Sequence, residues 1–258
     1  NIVEPGTYIY HCHMEATEHM EMGMLGTLYV TPKQNYLPIG TALARHPHGG
    51  AHRAGDKYAY NDGDGSTYYD VEKELQFSAF DRYFHEQHIL VQPLPFAALD
   101  VSYPMINGRG YPDTVNPDDI TNATVGNVLG LGAEYPSQKV DSRIVATAGE
   151  RVLLRLSNVS LSDFHTITVL GVPMRVIAND AKLLRGPDPD GAGPLVGKDL
   201  SYETTSFTFG GGETADVILD TTGVTPGTYF LYDSRLNHLS NDQEDFGGMM
   251  TEIIISAP

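Results

Sequence analysis

The residues of this chain that are best suited to chemistry lie close together near its start. His11, Cys12 and His13 are consecutive, six residues separate Cys12 from His19, and four more separate His19 from Met24. Cys12 is the only cysteine of the 258 residues, so it cannot form an internal disulfide bond. A thiol, several imidazoles and a thioether within one short stretch are ligands for transition metals. The stretch therefore predicts a metal site.

The combination of ligand types indicates which metal this stretch would bind. A blue-copper electron-transfer site holds its copper with a thiolate, two imidazoles and a weak axial thioether. Cys12, His19 and Met24 supply three of those four ligands. Successive side chains of an extended strand point to opposite faces, so His11 and His13 face away from the side on which the thiolate lies. We expect them to bind other metal atoms, the alternative being a lone buried cysteine in a histidine-rich loop.

His-Cys-His followed by a histidine and a methionine resembles the closing motif of the multicopper oxidases, the laccase and ceruloplasmin group. The resemblance implies a type 1 copper with three ligands from this stretch, Cys12, His19 and Met24. It also implies that His11 and His13 bind the two type 3 coppers of a trinuclear cluster, where dioxygen is reduced. Copper is then the cofactor, both in the type 1 site and in a type 2/type 3 cluster that is shared with another segment.

The spacing within the motif departs from the family at one point. Six residues separate Cys12 from His19, where the family usually has four, whereas the four residues between His19 and Met24 match it. The longer loop leaves Met20 and Met22 as competitors of Met24 for the axial position.

The motif lies between two predicted strands, residues 6–10 and 25–30, which are short, aromatic, β-branched and bounded by glycine. Two strands alone are at best marginally stable in water, so they cannot form a domain. We interpret residues 1–35 as the C-terminal strands and ligand loop of a type 1 copper cupredoxin domain. The other strands, the second type 1 histidine and the other cluster ligands are expected on an N-terminal polypeptide of the same oxidase, as a separate or cleaved chain.

The composition of the chain argues against several kinds of partner. Its 16 basic and 33 acidic residues give a net charge of −17, which disfavours nucleic acid and anionic membranes. No apolar run in the sequence approaches the roughly 18 residues needed to span a membrane. A copper-bound thiolate fits an extracellular or periplasmic location, an expectation that depends on the family resemblance.

Residues 36–67 have no persistent hydrophobic period and are predicted to be a linker. They contain three closely spaced histidines, His46, His48 and His52, for which we expect solvated loop positions, an accessory metal site being the alternative. The Asn-Asp-Gly-Asp-Gly run at 61–65 is similar to a calcium loop, but it lacks the glutamate that closes such a loop. It is therefore predicted to be a turn.

Residues 68–258 are predicted to form a second cupredoxin-like domain. Strand patterns alternate there with glycine-rich turns, and helical periodicity is scarce, which together predict an all-β Greek-key β-sandwich. His85 and His88 are interpreted as surface or domain-packing residues. The predicted strands are Glu72–Phe80, Tyr103–Asn107, Arg143–Ala148, Val152–Ser157, His165–Leu170, Met174–Ala178, Ser206–Phe209, Ala215–Leu219, Thr228–Tyr232 and Met250–Ile255.

An internal repeat relates this second domain to the ligand motif. Residues 6–10 recur at 227–231, and the Gly-Met pair at 23–24 recurs at 248–249 after a loop that is four residues longer. The strand–loop–strand unit is therefore present twice.

The second copy of this unit lacks the chemistry of the first. Tyr232, Asp233 and Ser234 stand where the His-Cys-His tripeptide stands in the first copy, and without a thiolate there is no blue copper. His238 and Met249 remain, and we interpret them as packing residues.

The family's other ligand-bearing strand also lacks its histidines in this domain. His165 matches the first histidine of the family pattern, but Thr168 and Leu170 take the two positions that would bind the trinuclear cluster. We therefore expect residues 68–258 to be a cupredoxin without copper ligands that has a structural role.

The function that these residues favour is that of an oxidase, in which single electrons pass from the type 1 copper through Cys12 to the cluster that reduces dioxygen to water. A copper nitrite reductase is the enzymatic alternative. Its type 2 site does not use a histidine directly after the blue-copper cysteine, so His13 favours the oxidase. A cupredoxin electron carrier or a structural subunit is the non-enzymatic alternative, and a carrier needs no histidine on both sides of its cysteine.

The reductant depends on the surroundings of the type 1 site. Laccase-like members of the family usually oxidise phenols and aromatic amines, which we therefore expect here. Glu15, Glu18 and Glu21 lie in the ligand loop and offer the alternative of an acidic rim that binds a metal-ion reductant. Solvated loop charges are the simpler interpretation of these glutamates, and assembly into a higher oligomer is compatible with the sequence.

Overall fold

β-strands dominate the fold, and sixteen of them lie in the residues that this computed structural model describes, 2–90, 93–116, 141–186 and 197–258. The same residues contain two α-helices, α1 Ala16–Glu21 and α2 Arg82–Leu90. Neither of these described helices has the length and apolarity that crossing a membrane requires. In chain order the strands are β1 Gly6–His11, β2 Leu25–Val30, β3 Lys57–Tyr58, β4 Tyr68–Tyr69, β5 Val71–Phe80, β6 Tyr103–Ile106, β7 Ile144–Thr147, β8 Arg151–Asn158, β9 His165–Val169, β10 Met174–Asn179, β11 Lys182–Leu183, β12 Tyr202–Thr204, β13 Ser206–Phe209, β14 Thr214–Asp220, β15 Gly227–Asp233 and β16 Met250–Ser256.

Two sheets form a sandwich that contains most of these strands. The first sheet has the strand order β11-β10-β14-β8-β5-β6, with β12 also paired to β10, and the second has the order β13-β9-β15-β16-β7. Strands β8, β10 and β14 belong to the first sheet while β9, β13 and β15 belong to the second, so the chain crosses repeatedly between the sheets. The predicted fold class, an all-β Greek-key sandwich, is therefore confirmed.

The main hydrophobic core contains side chains from both sheets. Its fully buried members include Phe77, Leu154, Ile167, Val217 and Ile253. Two adjacent inner strands of the first sheet are buried almost continuously, with seven of eight residues buried in β8 and six of seven in β14. Since neighbouring residues of a strand face opposite sides, this burial requires a cover on the outer face of the first sheet as well.

The hairpin of β1 and β2 supplies part of that cover. It forms a separate two-stranded sheet, as predicted for residues 6–10 and 25–30. The Thr7 hydroxyl donates to Asp216 Oδ1 in β14 at 2.5 Å, and the hydroxyl oxygens of Thr27 and Ser157 lie 3.0 Å apart. Gly6 has a φ of +143°, and a Cβ there would lie 2.6 Å from that of Ala181, so the close approach of the hairpin requires glycine.

Residues 36–67, predicted to be a linker, supply the rest of the cover. Ala59 and Tyr60 belong to a buried cluster with Leu153 and Ile218 of the first sheet. The Tyr60 hydroxyl donates to Asp216 Oδ2 at 2.5 Å. This segment has only the short strand β3, yet it packs as an integral layer of the fold because its aromatic side chains cover apolar surface.

The predicted turn at residues 61–65 is present and is organised by Asp62. Its Oδ1 accepts a hydrogen bond from the Gly65 amide at 2.7 Å, and its Oδ2 accepts one from the Thr67 amide at 2.7 Å. The Gln34 side-chain amide donates to the same carboxylate at 2.8 Å. The acidic side chain therefore stabilises the turn itself.

The expectation that the three histidines of this segment are solvated was wrong for two of them. His46 and His52 are buried, with His46 Nε2 at 2.9 Å from Asp56 Oδ2 and His52 Nδ1 at 3.0 Å from the Tyr58 hydroxyl. The His48 side chain is still 41% exposed. The reason is the aromatic packing around β3 and β4, which the local sequence pattern does not reveal.

All ten predicted strands of the second domain are present, but the expectation of no strong helix there missed α2. Asp81 precedes this helix and caps its first turn, since its Oδ1 accepts hydrogen bonds from the amides of Tyr83 at 2.8 Å and Phe84 at 3.1 Å. An aspartate before a run of helix-compatible residues is a helix-start signal, which the strand predictions did not include.

Candidate metal centre

The hairpin holds the predicted ligands at one end. β1 ends at His11, β2 begins at Leu25, and α1 lies in the loop between them. Two backbone hydrogen bonds close this loop: the Cys12 amide donates to the Met24 carbonyl at 3.0 Å, and the Met24 amide donates to the His19 carbonyl at 2.9 Å. The backbones of the three predicted type 1 ligands are therefore neighbours, although α1 separates them in sequence.

Cys12 and His19 place two donor atoms side by side. Cys12 Sγ lies 2.9 Å from His19 Nδ1 and 3.2 Å from the Met14 carbonyl oxygen. On the other edge of the ring, His19 Nε2 lies 3.5 Å from Glu15 Oε2, so a carboxylate faces the second ring nitrogen. A thiolate and an imidazole nitrogen that converge in this way fit copper. Met24 is 53% exposed, so the predicted axial ligand lies at the surface of this chain.

His11 and His13 form a second pair, separate from the first. Their rings stack with centroids 5.4 Å apart and an angle of 29° between their planes, as expected from side chains that alternate around Cys12. His11 Nδ1 lies 2.8 Å from the Cys12 carbonyl oxygen. That nitrogen therefore carries the proton and donates, which leaves the lone pair on Nε2 to bind a metal.

Of the three glutamates that could form an acidic rim in the ligand loop, only Glu15 is exposed. Glu18 and Glu21 are buried because α1 turns them toward α2, where Glu18 Oε2 lies 3.2 Å from His88 Nδ1. Glu21 Oε1 accepts a hydrogen bond from the Asp81 amide at 2.5 Å, and burial raises the pKa of Glu21 to about 7. Only the Glu15 side chain, 71% exposed, faces solvent.

The second strand–loop–strand unit closes with the same hydrogen bonds as the first. The Asp233 amide donates to the Met249 carbonyl at 3.0 Å, and the Met249 amide donates to the His238 carbonyl at 2.8 Å. Asp233 thus has the backbone position of Cys12, and His238 that of His19. The alignment of the two units inferred from the sequence agrees with these bonds.

Asp233 makes buried contacts with two histidines. Its Oδ2 lies 2.9 Å from Nδ1 of His165 and 2.5 Å from Nδ1 of His238. Burial by itself raises the pKa of Asp233, but the hydrogen bonds from the two histidines outweigh it and hold the pKa well below its usual range. Thr168 is buried and Leu170 is 56% exposed, and neither residue type is a ligand for the type 3 coppers.

The sequence-based interpretation treated His238 as a packing residue and did not predict this cluster. The signal was available, since the repeat and the family pattern place His165, Asp233 and His238 at three ligand positions of a type 1 site. In the described part of the chain, this trio is the one group that brings three histidine, cysteine or acidic ligand atoms within 4.8 Å of one another. In the first loop, Cys12 and His19 bring two such ligand atoms together, at 2.9 Å.

Comparison with protein families identifies the chain. A family model described as multicopper oxidase matches residues 98–256, and a second model with the same description matches residues 2–34. The chain belongs to the multicopper oxidase family. The curated proteins contain no match to it.

Solved structures of several copper enzymes have the same fold. A blue copper oxidase from Nitrosomonas europaea is 20% identical, with a TM-score of 0.64. The match covers 99% of this chain and 57% of the length of that oxidase. The multicopper oxidase mgLAC is 18% identical with a TM-score of 0.62, and the match covers 97% of this chain and 56% of mgLAC. A copper nitrite reductase from Nitrosomonas europaea is 17% identical with a TM-score of 0.55, covering 98% and 63%. At these identities the similarity establishes the cupredoxin fold, and this chain spans less than two thirds of each of these proteins.

Proposed function

We propose that this multicopper oxidase family member takes single electrons from a reductant and reduces dioxygen to water. The observation that carries the proposal is the division of ligands around Cys12. Its Sγ lies 2.9 Å from His19 Nδ1, while the imidazoles of His11 and His13 form their own stacked pair. Two separate groups of potential metal ligands are thus connected through the backbone of one cysteine.

Copper bound at these places would supply one-electron oxidation of the reductant and reduction of dioxygen. The residues of the chain hold and orient it. Cys12 and His19 would hold type 1 copper with the Met24 thioether as a weak further ligand, and His11 and His13 would hold type 3 copper. The peptide bonds on either side of Cys12 form a short covalent connection between the two sites.

A copper nitrite reductase is the second candidate, because one of the solved structures with this fold is such an enzyme. The residue that separates the two functions is His13. A nitrite reductase type 2 site does not require a histidine directly after the cysteine, whereas a trinuclear cluster does. The stacked arrangement of His11 and His13 therefore favours the oxidase, and it also disfavours a simple electron carrier.

The proposed oxidase needs further ligands, which we assign to an N-terminal polypeptide of the same enzyme. The hairpin has only two strands, and Tyr10 and Leu28 on it are 62% and 42% exposed. Beside it lies a groove of about 560 Å³, lined by residues that include Leu25, Tyr29 and Met105. Strands of a cupredoxin domain that carry His-x-His motifs would extend the hairpin, cover this groove and complete both copper sites.

Phenols and aromatic amines are the proposed reductants. The burial of Glu18 and Glu21 removes two of the three carboxylates that a site for metal-ion reductants would use. The exposure of Met24 supports a type 1 site near the surface, where a small aromatic molecule could reach it. An extracellular or periplasmic location accords with such substrates and with a copper-bound thiolate.

The decisive experiment compares two electron acceptors for the copper-loaded protein, in complex with the polypeptide that completes its sites. With a phenolic reductant we expect consumption of dioxygen with water as the product, and no reduction of nitrite under anaerobic conditions. Nitrite reduction that exceeds oxygen consumption would overturn the proposal in favour of the reductase. A chain that consumes oxygen on its own, as a monomer with four coppers, would overturn the proposed partner.

A further inference from the structure

The second ligand loop contains a buried group of polar side chains that the proposed oxidase does not use. His165 at the start of β9, Asp233 at the end of β15 and His238 in the following turn are 0%, 0% and 2% exposed. His165 and Asp233 are 68 positions apart in sequence, and the pairing of β9 with β15 brings them together. Three ligand-bearing side chains therefore meet inside the protein.

The two oxygens of the Asp233 carboxylate have different surroundings. Oδ1 accepts hydrogen bonds from the backbone amides of Arg235 at 3.0 Å and Thr166 at 3.3 Å. Oδ2 faces Nδ1 of His165 at 2.9 Å and Nδ1 of His238 at 2.5 Å. The backbone thus fixes the carboxylate so that one oxygen and two imidazole nitrogens converge.

Each histidine also has an acceptor near its other nitrogen. His165 Nε2 lies 2.6 Å from Ser160 Oγ, and His238 Nε2 lies 3.9 Å from Asp163 Oδ2. Histidines that bind metals almost always donate their second N–H to a carboxylate or another acceptor. The His165 ring can therefore hold its proton on Nε2 through Ser160, and the Asp163 carboxylate faces Nε2 of His238, so that the Nδ1 lone pairs are free to face an ion.

We propose that His165, Asp233 and His238 bind a divalent cation of the zinc class through Nδ1, Oδ2 and Nδ1. Imidazole nitrogen and carboxylate oxygen are zinc ligands, and water can fill the fourth position of a site with three protein ligands. Zinc bonds of about 2.0 Å in a tetrahedral arrangement place ligand atoms about 3.3 Å apart. The observed separations of 2.9 and 2.5 Å therefore need to open by less than about 1 Å.

The protons and charges of the three side chains are compatible with a bound divalent cation. Each neutral imidazole transfers its proton from Nδ1 to Nε2, so no proton needs to leave the protein. Two positive charges are then placed beside a carboxylate that has no access to solvent. The site resembles the type 1 arrangement in position only, because an oxygen ligand replaces the thiolate. We expect the ion to be colourless zinc and to tie β9 to the loop after β15.

The test uses the Cys12→Ser protein, so that the first ligand loop contributes no thiolate. Cobalt(II) is titrated as a spectroscopic probe, zinc is used as its competitor, and thermal unfolding is followed with and without zinc. The test variants are His238→Gln and Asp233→Asn, each in the Cys12→Ser background. His48→Gln, which alters a half-exposed histidine elsewhere, is the matched control.

We expect one equivalent of cobalt to give the absorption of a four-coordinate site, zinc to displace it, and zinc to raise the unfolding temperature. Affinity should fall at least about tenfold in His238→Gln and in Asp233→Asn, and stay unchanged in His48→Gln. If Asp233→Asn does not fold, His238→Gln decides the outcome. Folded Cys12→Ser protein that shows neither cobalt absorption nor a zinc-dependent shift would overturn the proposal, as would undiminished binding in His238→Gln.

Discussion

Cys12 and Asp233 occupy the same position in two strand–loop–strand units of this chain. In each unit the amide of this residue donates to a methionine carbonyl at 3.0 Å, and the methionine amide donates back to a histidine carbonyl at 2.9 or 2.8 Å. The surroundings differ. The predicted ligands of the first loop are partly or largely exposed, whereas the corresponding side chains of the second loop are buried.

The difference shows how one backbone supports two kinds of chemistry. A thiolate is a poor hydrogen-bond acceptor and a strong ligand for copper, and in the first loop Cys12 Sγ lies beside the nitrogen of a single imidazole, at 2.9 Å from His19 Nδ1. A carboxylate accepts several strong hydrogen bonds, so Asp233 is satisfied by two imidazoles and two backbone amides. The polar side chains of the second loop are therefore buried and paired with one another, whereas those of the first loop lie at or near the surface.

The largest effect is expected at the residue that differs between the two loops. Cys12→Ser should abolish the blue absorption of the copper-loaded protein, because a hydroxyl is a hard ligand that donates poorly to Cu(II). Asp233→Ser should leave that absorption unchanged. Visible spectra recorded at equal copper content distinguish the two variants. A blue band that survives Cys12→Ser would show that the ligand assignment is wrong.

Next in size is the effect on oxygen reduction. Replacing His13 or His11 with alanine should abolish most oxygen consumption while the blue copper can still be reduced by substrate, because the type 1 ligands remain. Ser234→Ala in the second loop is the matched control and should retain full turnover. Oxygen uptake and anaerobic bleaching of the blue band are the measurements. Loss of the blue band with retained turnover would contradict this division of roles.

A smaller effect, on stability rather than on chemistry, is expected from the second loop. Asp233→Ala should lower the free energy of unfolding by about 3–5 kcal/mol, because it leaves two buried imidazoles without their acceptor. Cys12→Ser, at a partly exposed position, should change it by less than about 1 kcal/mol. Urea unfolding in the presence of a chelator measures both. Equal losses of unfolding free energy in the two variants would contradict this difference between the loops.

The smallest effects are expected at the two methionines. Met24→Leu should keep the blue site and raise its reduction potential, since the axial thioether is a weak ligand. Met249→Leu should cost less than about 1.5 kcal/mol of stability, because Met249 is fully buried and leucine has a similar volume. It should leave the reduction potential unchanged, because Met249 belongs to the second loop. Redox titration of the blue band is the measurement for both variants. Loss of all type 1 copper in Met24→Leu would show that the longer loop places its ligands differently.

The sequence by itself determined the features that depend on neighbouring residues. The alternation of side chains around Cys12 predicted that His11 and His13 would lie apart from the cysteine ligand site, and their rings stack as a separate pair. The ten predicted strands of the sandwich are present, because short β-branched and apolar runs between glycine-rich turns are a local signal. The repeat of the ligand unit was visible for the same reason.

Only the tertiary structure decided which polar residues are buried and what they contact. Glu18 is buried because α1 packs near α2, and Tyr60 covers a sheet whose strands lie far away in sequence. His165 meets Asp233 through the pairing of β9 with β15. The repeat indicates that these residues take related positions, but their burial and hydrogen bonds depend on long-range neighbours, about which the spacing of residues along one strand or loop carries no information.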